Sequence, residues 1–218
     1  AASYHDWGRM AIGPDDKLYV TTGDAGKPSL AQDTNSLAGK ILRLNLDGSI
    51  PQDNPFDNEI WTYGHRNPQG LAWDNEGRLW ATEHGPSGLQ SGEDEINLIE
   101  SGNNYGWPEI RGSETRESMV APVIQSGKDT TWAPAGAAII DGTLYYAGLR
   151  GASLYTANIE GTEITNLIAN LENKYGRLRA VVEGPNGFLY ISTSNTDGRG
   201  NPDQTDDKII RINPEVFN

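Results

Sequence analysis

Apolar and polar positions alternate along this chain in short stretches, and one arrangement of them occurs four times. In each occurrence an apolar stretch is followed by a turn containing Asp, Asn or Gly, and then by a stretch that opens with Leu and an aromatic residue. Turn residues of this kind between two alternating stretches are typical of a β-hairpin. The predicted hairpins span residues 12–20, 73–80, 140–145 and 183–190.

A third alternating stretch follows each hairpin. These third strands are predicted at residues 40–44, 94–99, 153–157 and 208–212. Further apolar stretches precede the second, third and fourth hairpins, and we assign each to the unit that follows it; they are residues 59–63, 122–125 and 165–169. Self-similarity at a period of several tens of residues predicts a repeat architecture, and antiparallel strands joined by short turns predict β-propeller blades.

The chain is therefore predicted to be all-β, as a single partial β-propeller domain over residues 1–218. It would hold about four blades, with approximate limits 1–50, 58–100, 120–160 and 163–214 and no upstream strand in the first. The 26 Gly and 12 Pro residues suit short strands and tight turns. No stretch combines an amphipathic period with the end caps of a helix.

The formal net charge of −13 limits the choice of partners. Binding of nucleic acid needs Lys and Arg clustered on an exposed face, so we exclude nucleic acid as a partner. A strongly acidic chain is compatible with bound divalent cations, although solubility alone also explains such a charge. No apolar run approaches the ~18 residues of a membrane span. The lack of Cys fits an exported bacterial protein and equally a cytoplasmic one.

Five local strings carry more specific information, at residues 35–56, 63–71, 83–86, 94–97 and 104–108. They include Gly-His-Arg-Asn-Pro-Gln-Gly-Leu, Glu-His-Gly-Pro and Asn-Tyr-Gly-Trp-Pro. Together and in this order, the strings closely resemble the soluble quinoprotein glucose and aldose sugar dehydrogenases, over almost the whole chain. The resemblance implies a six-bladed propeller with pyrroloquinoline quinone (PQQ) and Ca²⁺ in a cleft on its top face, and two further blades upstream of His5.

Three residues match catalytic positions of that family. His5 lies in His-x-x-Gly-Arg before a predicted strand, and the resemblance makes it the base that takes a proton from the sugar hydroxyl. Asp24 ends the string Thr-Thr-Gly-Asp and corresponds to the residue that orients this base. Arg66 corresponds to a residue that faces both cofactor and substrate. Without the resemblance, an exposed His near a chain end and a turn Asp would be the commoner interpretation.

PQQ bears three carboxylates, and Arg recognises a carboxylate through two parallel hydrogen bonds. The resemblance assigns cofactor-binding positions to Arg66, Asn67, Thr131, Arg150, Arg177 and Arg179. Arg177 and Arg179 belong to Gly-Arg-Leu-Arg and share one face of a predicted strand. A single Arg is often a solvated surface charge, but several at equivalent strand ends favour a common ligand.

The family holds its calcium ion through two main-chain carbonyls, at the positions of Gly85 and Pro86, whose oxygens are suitable hard ligands. His84 departs from the pattern, since close relatives of the glucose enzyme carry Gln there. Asp94 and Glu95 resemble part of a second, structural calcium region, although acidic residues of this kind are more often solvated.

The resemblance implies an oxidoreductase that oxidises an aldose sugar at C1 to the lactone and passes electrons to an external acceptor. Two alternatives stay open: a calcium-dependent propeller lactonase, and a non-catalytic propeller fragment. Because an incomplete propeller exposes strand edges and blade faces, we predict contact with a second chain that completes it, or with another copy of this chain. The family also implies a periplasmic or secreted bacterial protein.

Overall fold

The computed structural model describes residues 4–6, 8–86 and 91–217, and its regular structure is almost wholly β-strand. Within these ranges the strands are β1 (Met10–Ile12), β2 (Lys17–Thr22), β3 (Lys40–Asn45), β4 (Ile60–Tyr63), β5 (Pro68–Trp73), β6 (Leu79–Glu83), β7 (Glu95–Ile99), β8 (Ile124–Gln125), β9 (Pro134–Ile140), β10 (Thr143–Gly148), β11 (Leu154–Glu160), β12 (Glu163–Asn170), β13 (Leu178–Glu183), β14 (Leu189–Thr193) and β15 (Ile209–Ile212). Short 3-10 turns lie at Pro28–Gln32, Pro185–Gly187 and Pro214–Phe217. Among the residues described, no helix is long and apolar enough to cross a membrane. The predicted all-β fold is confirmed.

The strands form four antiparallel sheets that follow the order of the chain. The first sheet holds β1 to β4, the second β5 to β8, the third β9 to β12 and the fourth β13 to β15. Each strand pairs with the next along the chain, so every sheet is a meander, which is how a propeller blade is built. All of the predicted hairpins are present, as the pairs β1–β2, β5–β6, β9–β10 and β13–β14.

Each predicted fourth strand belongs to the sheet before it and not to the sheet after it. β4 pairs with β3, β8 with β7 and β12 with β11, so the assignment of these strands to the following unit was wrong. The sheets span residues 10–63, 68–125, 134–170 and 178–212, in place of the limits 1–50, 58–100, 120–160 and 163–214. Alternation of side chains predicts where a strand lies but not its neighbour, because either neighbour satisfies the same backbone donors and acceptors.

Apolar side chains fill the spaces between neighbouring sheets. On β6, Leu79 lies in the cluster shared with the first sheet, whereas Trp80 lies in the cluster shared with the third. On β10, Leu144 faces the second sheet and Tyr145 the fourth. Because successive side chains point to opposite faces, a strand with sheets on both sides is apolar at consecutive positions. This explains the unbroken apolar runs within the second and third sheets.

The outer faces of the first and fourth sheets keep apolar side chains exposed. Met10 and Ile12 on β1 are 70% and 60% exposed, and Ile209 on β15 is 81% exposed. β15 is an edge strand of the three-stranded fourth sheet, and among the described strands it pairs with β14 alone. An open edge beside exposed apolar side chains favours pairing with another sheet. Contact with a second chain or another copy stays a prediction.

Threonine hydroxyls join each of the first two sheets to the next one. Thr21 Oγ1 donates to the carbonyl of Pro68, and Thr82 Oγ1 donates to the carbonyl of Ala135, both at 2.8 Å. Each bond connects the end of the second strand of one sheet to the start of the first strand of the next sheet. The loops that precede the first strands and follow the second strands therefore gather on one face of the molecule, and this is the face that carries the candidate site.

Candidate active site

His5 and Asp24 form a close pair at the edge of the first sheet. His5 Nδ1 lies 2.7 Å from Asp24 Oδ1, and the Asp24 side chain is 2% exposed while that of His5 is 15% exposed. Gly23 permits this approach, since a Cβ at that position would lie 2.3 Å from the carbonyl oxygen of His5. With Nδ1 held by a carboxylate, Nε2 is the ring nitrogen able to accept a proton.

Asp24 accepts two further hydrogen bonds. The backbone N–H of Gly26 donates to Oδ1 and the indole Nε1 of Trp107 donates to Oδ2, each at 2.9 Å. Burial acts to raise the pKa of Asp24, but the bonds from His5, Gly26 and Trp107 outweigh it and hold the pKa below its ordinary value. The carboxylate is therefore kept charged and in place beside His5.

Arg66 is a buried arginine whose backbone and side chain are both held. Its guanidinium lies over the Trp107 ring at 5.4 Å and donates from Nη1 to the carbonyl of His84 at 3.3 Å. Its own carbonyl accepts the backbone N–H of Asp24 at 2.8 Å. Burial lowers the pKa of Arg66, and the negative charges of Asp24, Glu83 and Asp94 oppose that shift. Arg66, Asp24 and His5 thus form one group, with Trp107 contacting the first two.

Glu83 fixes the backbone of the Arg66–Asn67 segment. Its Oε1 accepts the backbone N–H groups of both Arg66 and Asn67, the latter at 3.1 Å. Its Oε2 lies 2.8 Å from Nδ1 of His65, which is fully buried and stacks on Tyr105 at 4.8 Å. The sequence strings contain Glu83, His65 and Trp107, but sequence reasoning gave none of them a role.

A small cleft lies beside this group, and we call it the Arg66 cleft. It is lined by Arg66, Glu83, His84, Gly85, Pro86, Glu95, Tyr105, Trp107, Ile110 and Arg111. The two predicted calcium-binding carbonyls, those of Gly85 and Pro86, thus belong to residues of the same cleft as Arg66. Among the residues described, no group of three or more His, Asp or Glu side chains has an arrangement that could hold a metal ion.

Both carboxylate oxygens of Asp94 accept hydrogen bonds from the protein. Its Oδ1 accepts the backbone N–H of Gly85 at 2.9 Å. Its Oδ2 accepts Thr131 Oγ1 at 2.9 Å and the backbone N–H groups of Trp132 and Ala133 at 2.7 and 2.9 Å. The carboxylate, which is buried, therefore joins the Gly85 turn of the second sheet to the loop that enters the third. The hydrogen bond from Thr131 Oγ1 to Asp94 therefore occupies the hydroxyl of a residue that is predicted to bind the cofactor.

Burial shifts the pKa values of Glu95 and His84, which both line the Arg66 cleft. The pKa of Glu95 is raised to about 8, by burial first and then by the negative charge of Glu83. The pKa of His84 is lowered to about 4, by burial and also by the positive charge of Arg66. His84 Nε2 is buried with no hydrogen-bond partner among the described residues. A neutral ring with one unused nitrogen is thereby presented inside the cleft wall.

A second, wider cleft lies between the loops of the third and fourth sheets, and we call it the Arg177 cleft. Its lining includes the cationic residues Arg150, Lys174, Arg177, Arg199 and Lys208, together with Asp203 and Asp206. Arg177 donates to Asp197 Oδ2 at 2.9 Å and to the carbonyl of Leu149 at 3.3 Å. Arg179 shares the same Asp197 oxygen at 3.3 Å. Sequence reasoning missed Asp197, which lies in a loop with no distinctive string.

The predicted site residues therefore fall into two groups on one face. His5, Asp24, Arg66, Gly85 and Pro86 surround the Arg66 cleft or contact its lining. Arg150 and Arg177 line the Arg177 cleft, and Arg179 joins them through Asp197 without lining it. The Asn67 side chain accepts a hydrogen bond from Gln69 Nε2 at 3.0 Å, beside the start of β5.

Comparison with known proteins gives one family. The model of the glucose/sorbosone dehydrogenase family matches residues 1–211. Aldose sugar dehydrogenase YliI of Escherichia coli is 33% identical over 223 residues, which cover 89% of this chain and 58% of that protein. Quinoprotein glucose dehydrogenase B of Acinetobacter calcoaceticus is 47% identical over 131 residues, which cover 50% of this chain and 27% of that protein.

A solved structure agrees with these relatives. The PQQ-bound form of aldose sugar dehydrogenase from Streptomyces coelicolor superposes with a TM-score of 0.90 at 43% identity, over 96% of this chain and 62% of that chain. The present chain spans less than two thirds of the length of each of these proteins. The fold, the order of the motifs and the family model agree, and the chain belongs to the glucose/sorbosone dehydrogenase family.

Proposed function

We propose that this chain carries the catalytic and cofactor-binding face of a PQQ- and calcium-dependent dehydrogenase that oxidises an aldose at C1 to the lactone. The observation that carries the proposal is the grouping of His5, Asp24 and Arg66, with Trp107 donating to the carboxylate and lying under the guanidinium. A base, the residue that orients it and a cation for developing negative charge are the parts that removal of a hydroxyl proton requires.

The donor set suits a polyanionic cofactor. Arg177 and Arg179 share the single carboxylate of Asp197, and Arg150 lines the same cleft with no ion pair to any described residue. The unused His84 Nε2 offers a further polar contact in the Arg66 cleft. Arg66, Asn67, Thr131, Arg150, Arg177 and Arg179 are the residues proposed to hold PQQ. When bound, PQQ would supply the acceptor of the hydride.

The carbonyls of Gly85 and Pro86 are the proposed ligands of Ca²⁺, which favours hard oxygen donors. Gly85 is suited to a fixed turn, because its N–H is bound by Asp94 and a Cβ would lie 2.1 Å from the carbonyl oxygen of Gly92. The carboxylate of Asp94 would then position the calcium-binding turn, and Asp94 and Glu95 would remain weaker candidates for a second ion.

The residues of this chain would act on the sugar as follows. His5 Nε2 would take the proton of the C1 hydroxyl while C1 gives up its hydride, which leaves a lactone carbonyl. Asp24 would stabilise the imidazolium through Nδ1–H and keep the ring oriented. Arg66 would lower the energy of the negative charge that develops on the sugar oxygen. An external electron acceptor and a periplasmic or secreted location complete the proposal.

The test mixes the chain with Ca²⁺, PQQ, glucose and a reducible dye, and follows both dye bleaching and the PQQ absorption spectrum. The proposal expects spectral change with bleaching, and bleaching lost in Asp24→Asn but kept in Asp6→Asn, an exposed neighbour of His5. A spectral change without bleaching would favour a non-catalytic fragment. Calcium-dependent ester cleavage with neither PQQ effect would favour a lactonase.

A further inference from the structure

Arg9 lies where the first strands of the four sheets begin, outside both clefts described above. It directly precedes β1, and its Nε donates to the carbonyl of Gln69 at the start of β5, at 3.1 Å. A Cβ on Gly136, near the start of β9, would lie 2.9 Å from Arg9 Nη2 and 3.0 Å from the carbonyl oxygen of Arg179 on β13. A glycine is therefore needed at position 136 for the guanidinium to lie between these strands.

This place adjoins the proposed cofactor site. Gln69, whose carbonyl binds Arg9, donates through its side chain to Asn67. Arg179 is the second residue of β13, the strand that follows Arg177, and it bonds to Ser194 and Asp197. The Arg9 guanidinium thus lies beside the starts of β5 and β13, the strands that directly follow Asn67 and Arg177.

The local charge is not balanced by the protein. Within the described residues Arg9 pairs with no carboxylate, while Arg177 and Arg179 share Asp197. Arg9 therefore adds a positive charge near Arg179, which already shares its one carboxylate with Arg177, in a chain whose net charge is −13. Half-buried like charges are costly unless an anion joins them. In agreement, burial and then the charge of Arg179 lower the pKa of Arg9.

The side chain of Arg9 also keeps N–H groups that donate to no described residue. Within the described residues, the Nε–H bond to Gln69 is its one side-chain hydrogen bond. A guanidinium presents its remaining N–H groups as a planar fork, which matches the two oxygens of a carboxylate. A purely structural link to one carbonyl would not need this fork.

We propose that Arg9 and Arg179 together bind one carboxylate group of the anionic cofactor, which makes Arg9 a further cofactor-binding residue. This inference rests on the proposed function, because it takes PQQ as the anion. The predicted cofactor-binding residues do not include Arg9. The proposal adds a cation that directly precedes the first sheet and lies next to the fourth sheet.

The test measures PQQ affinity of the calcium-loaded chain by tryptophan fluorescence, without any turnover. Arg9→Gln keeps a donor for Gln69 but removes the charge and the fork, and should weaken PQQ binding about tenfold or more. Arg116→Gln, which removes an exposed arginine paired with Glu109, is the matched control and should bind as the wild type does. If both arginines hold the same carboxylate, Arg9→Gln combined with Arg179→Gln should weaken binding by less than the product of the single effects.

Wild-type affinity in a folded Arg9→Gln protein would overturn the inference and leave the proposed function standing. If Arg9→Gln does not fold, Arg9→Lys replaces it; a weaker affinity supports the inference, and an unchanged one overturns it. If the wild type binds no PQQ, the proposed function fails, and citrate becomes the probe. A citrate-dependent rise in Tm that Arg9→Gln abolishes would then support an anion site at Arg9, whereas no rise in the wild type would overturn it.

Discussion

The two clefts on the candidate face satisfy their charges in opposite ways. The Arg66 cleft is small, with about 240 Å³ of empty space against about 1000 Å³ for the Arg177 cleft. Around the small cleft, buried carboxylates accept bonds from the protein itself, as Asp24, Glu83 and Asp94 do. In the wide cleft, exposed cations outnumber the acids, and Arg150 has no ion pair to any described residue.

The difference separates two tasks within one site. Buried, fully bonded carboxylates hold backbone and side chains in a single geometry, which is what catalytic groups need. Cations that exceed their protein partners keep a favourable potential for an anion that arrives later. Substitutions in the first region should therefore act on stability, and substitutions in the second on ligand affinity.

Asp94→Ala is expected to have the largest effect on stability. It removes the acceptor of Gly85, Thr131, Trp132 and Ala133, and each orphaned buried donor costs about 1–3 kcal/mol. We expect the free energy of unfolding to fall by roughly 4 kcal/mol, measured by urea unfolding. Asp129→Ala, at an exposed acid, is the control. A loss below about 1 kcal/mol would mean that the Asp94 network does not hold this region.

Glu83→Gln should have the next largest effect. The amide has the shape of the carboxylate, but it replaces charged acceptors of the Arg66 and Asn67 N–H groups by a neutral one and opposes His65 with a donor. We expect a loss of about 3 kcal/mol, together with weaker PQQ binding because Arg66 is less well fixed. Glu117→Gln, on an exposed loop, is the control. Unchanged stability and affinity would remove Glu83 as a positioning residue.

Much of the fold could be predicted from the sequence, because strand alternation and turn residues act over a few neighbouring positions. The hairpin at Ile12–Val20 follows from its own residues, and so do the others. The partner of β4 could not be predicted in this way, since pairing with β3 depends on contacts between distant segments. The same limit explains why three strands were assigned to the wrong sheet.

In the candidate site, too, local sequence strings predict some residues, whereas others depend on contacts between distant segments. His5, Asp24 and Arg66 were found through strings that a family shares, and the structure brings them together. Asp94 was predicted as a weak metal ligand from its place in a string, whereas the four donors that surround its carboxylate come from two other segments, and no local string encodes them. Arg9 drew no attention because its importance depends on Gly136 and Arg179, which lie on other sheets.

Asp24→Asn should have a smaller and pH-dependent effect. The pKa of Asp24 is held below its ordinary value, so its carboxylate stabilises the fold above pH ~3.9, and this contribution is lost as pH falls through the lower folded-state pKa. We expect the variant to be about 2 kcal/mol less stable at pH 7 and to approach the wild type toward pH 2. Unfolding curves across this range, with Asp6→Asn as control, test it. A difference independent of pH would show that charge is not the cause.

Arg177→Ala should have the smallest effect on stability of these substitutions. It therefore tests most directly whether the Arg177 cleft contributes to ligand affinity and not to stability. Its pair with Asp197 lies at the cleft surface, where an ion pair contributes about 0–1 kcal/mol. Loss of Arg177 also frees Asp197 to neutralise Arg179, which compensates part of the change. We expect an unfolding free energy within about 1 kcal/mol of the wild type, but PQQ binding weaker by roughly 2–3 kcal/mol. A marked loss of stability with unchanged PQQ affinity would reverse the roles of the two regions, because the wide cleft would then be the structural one.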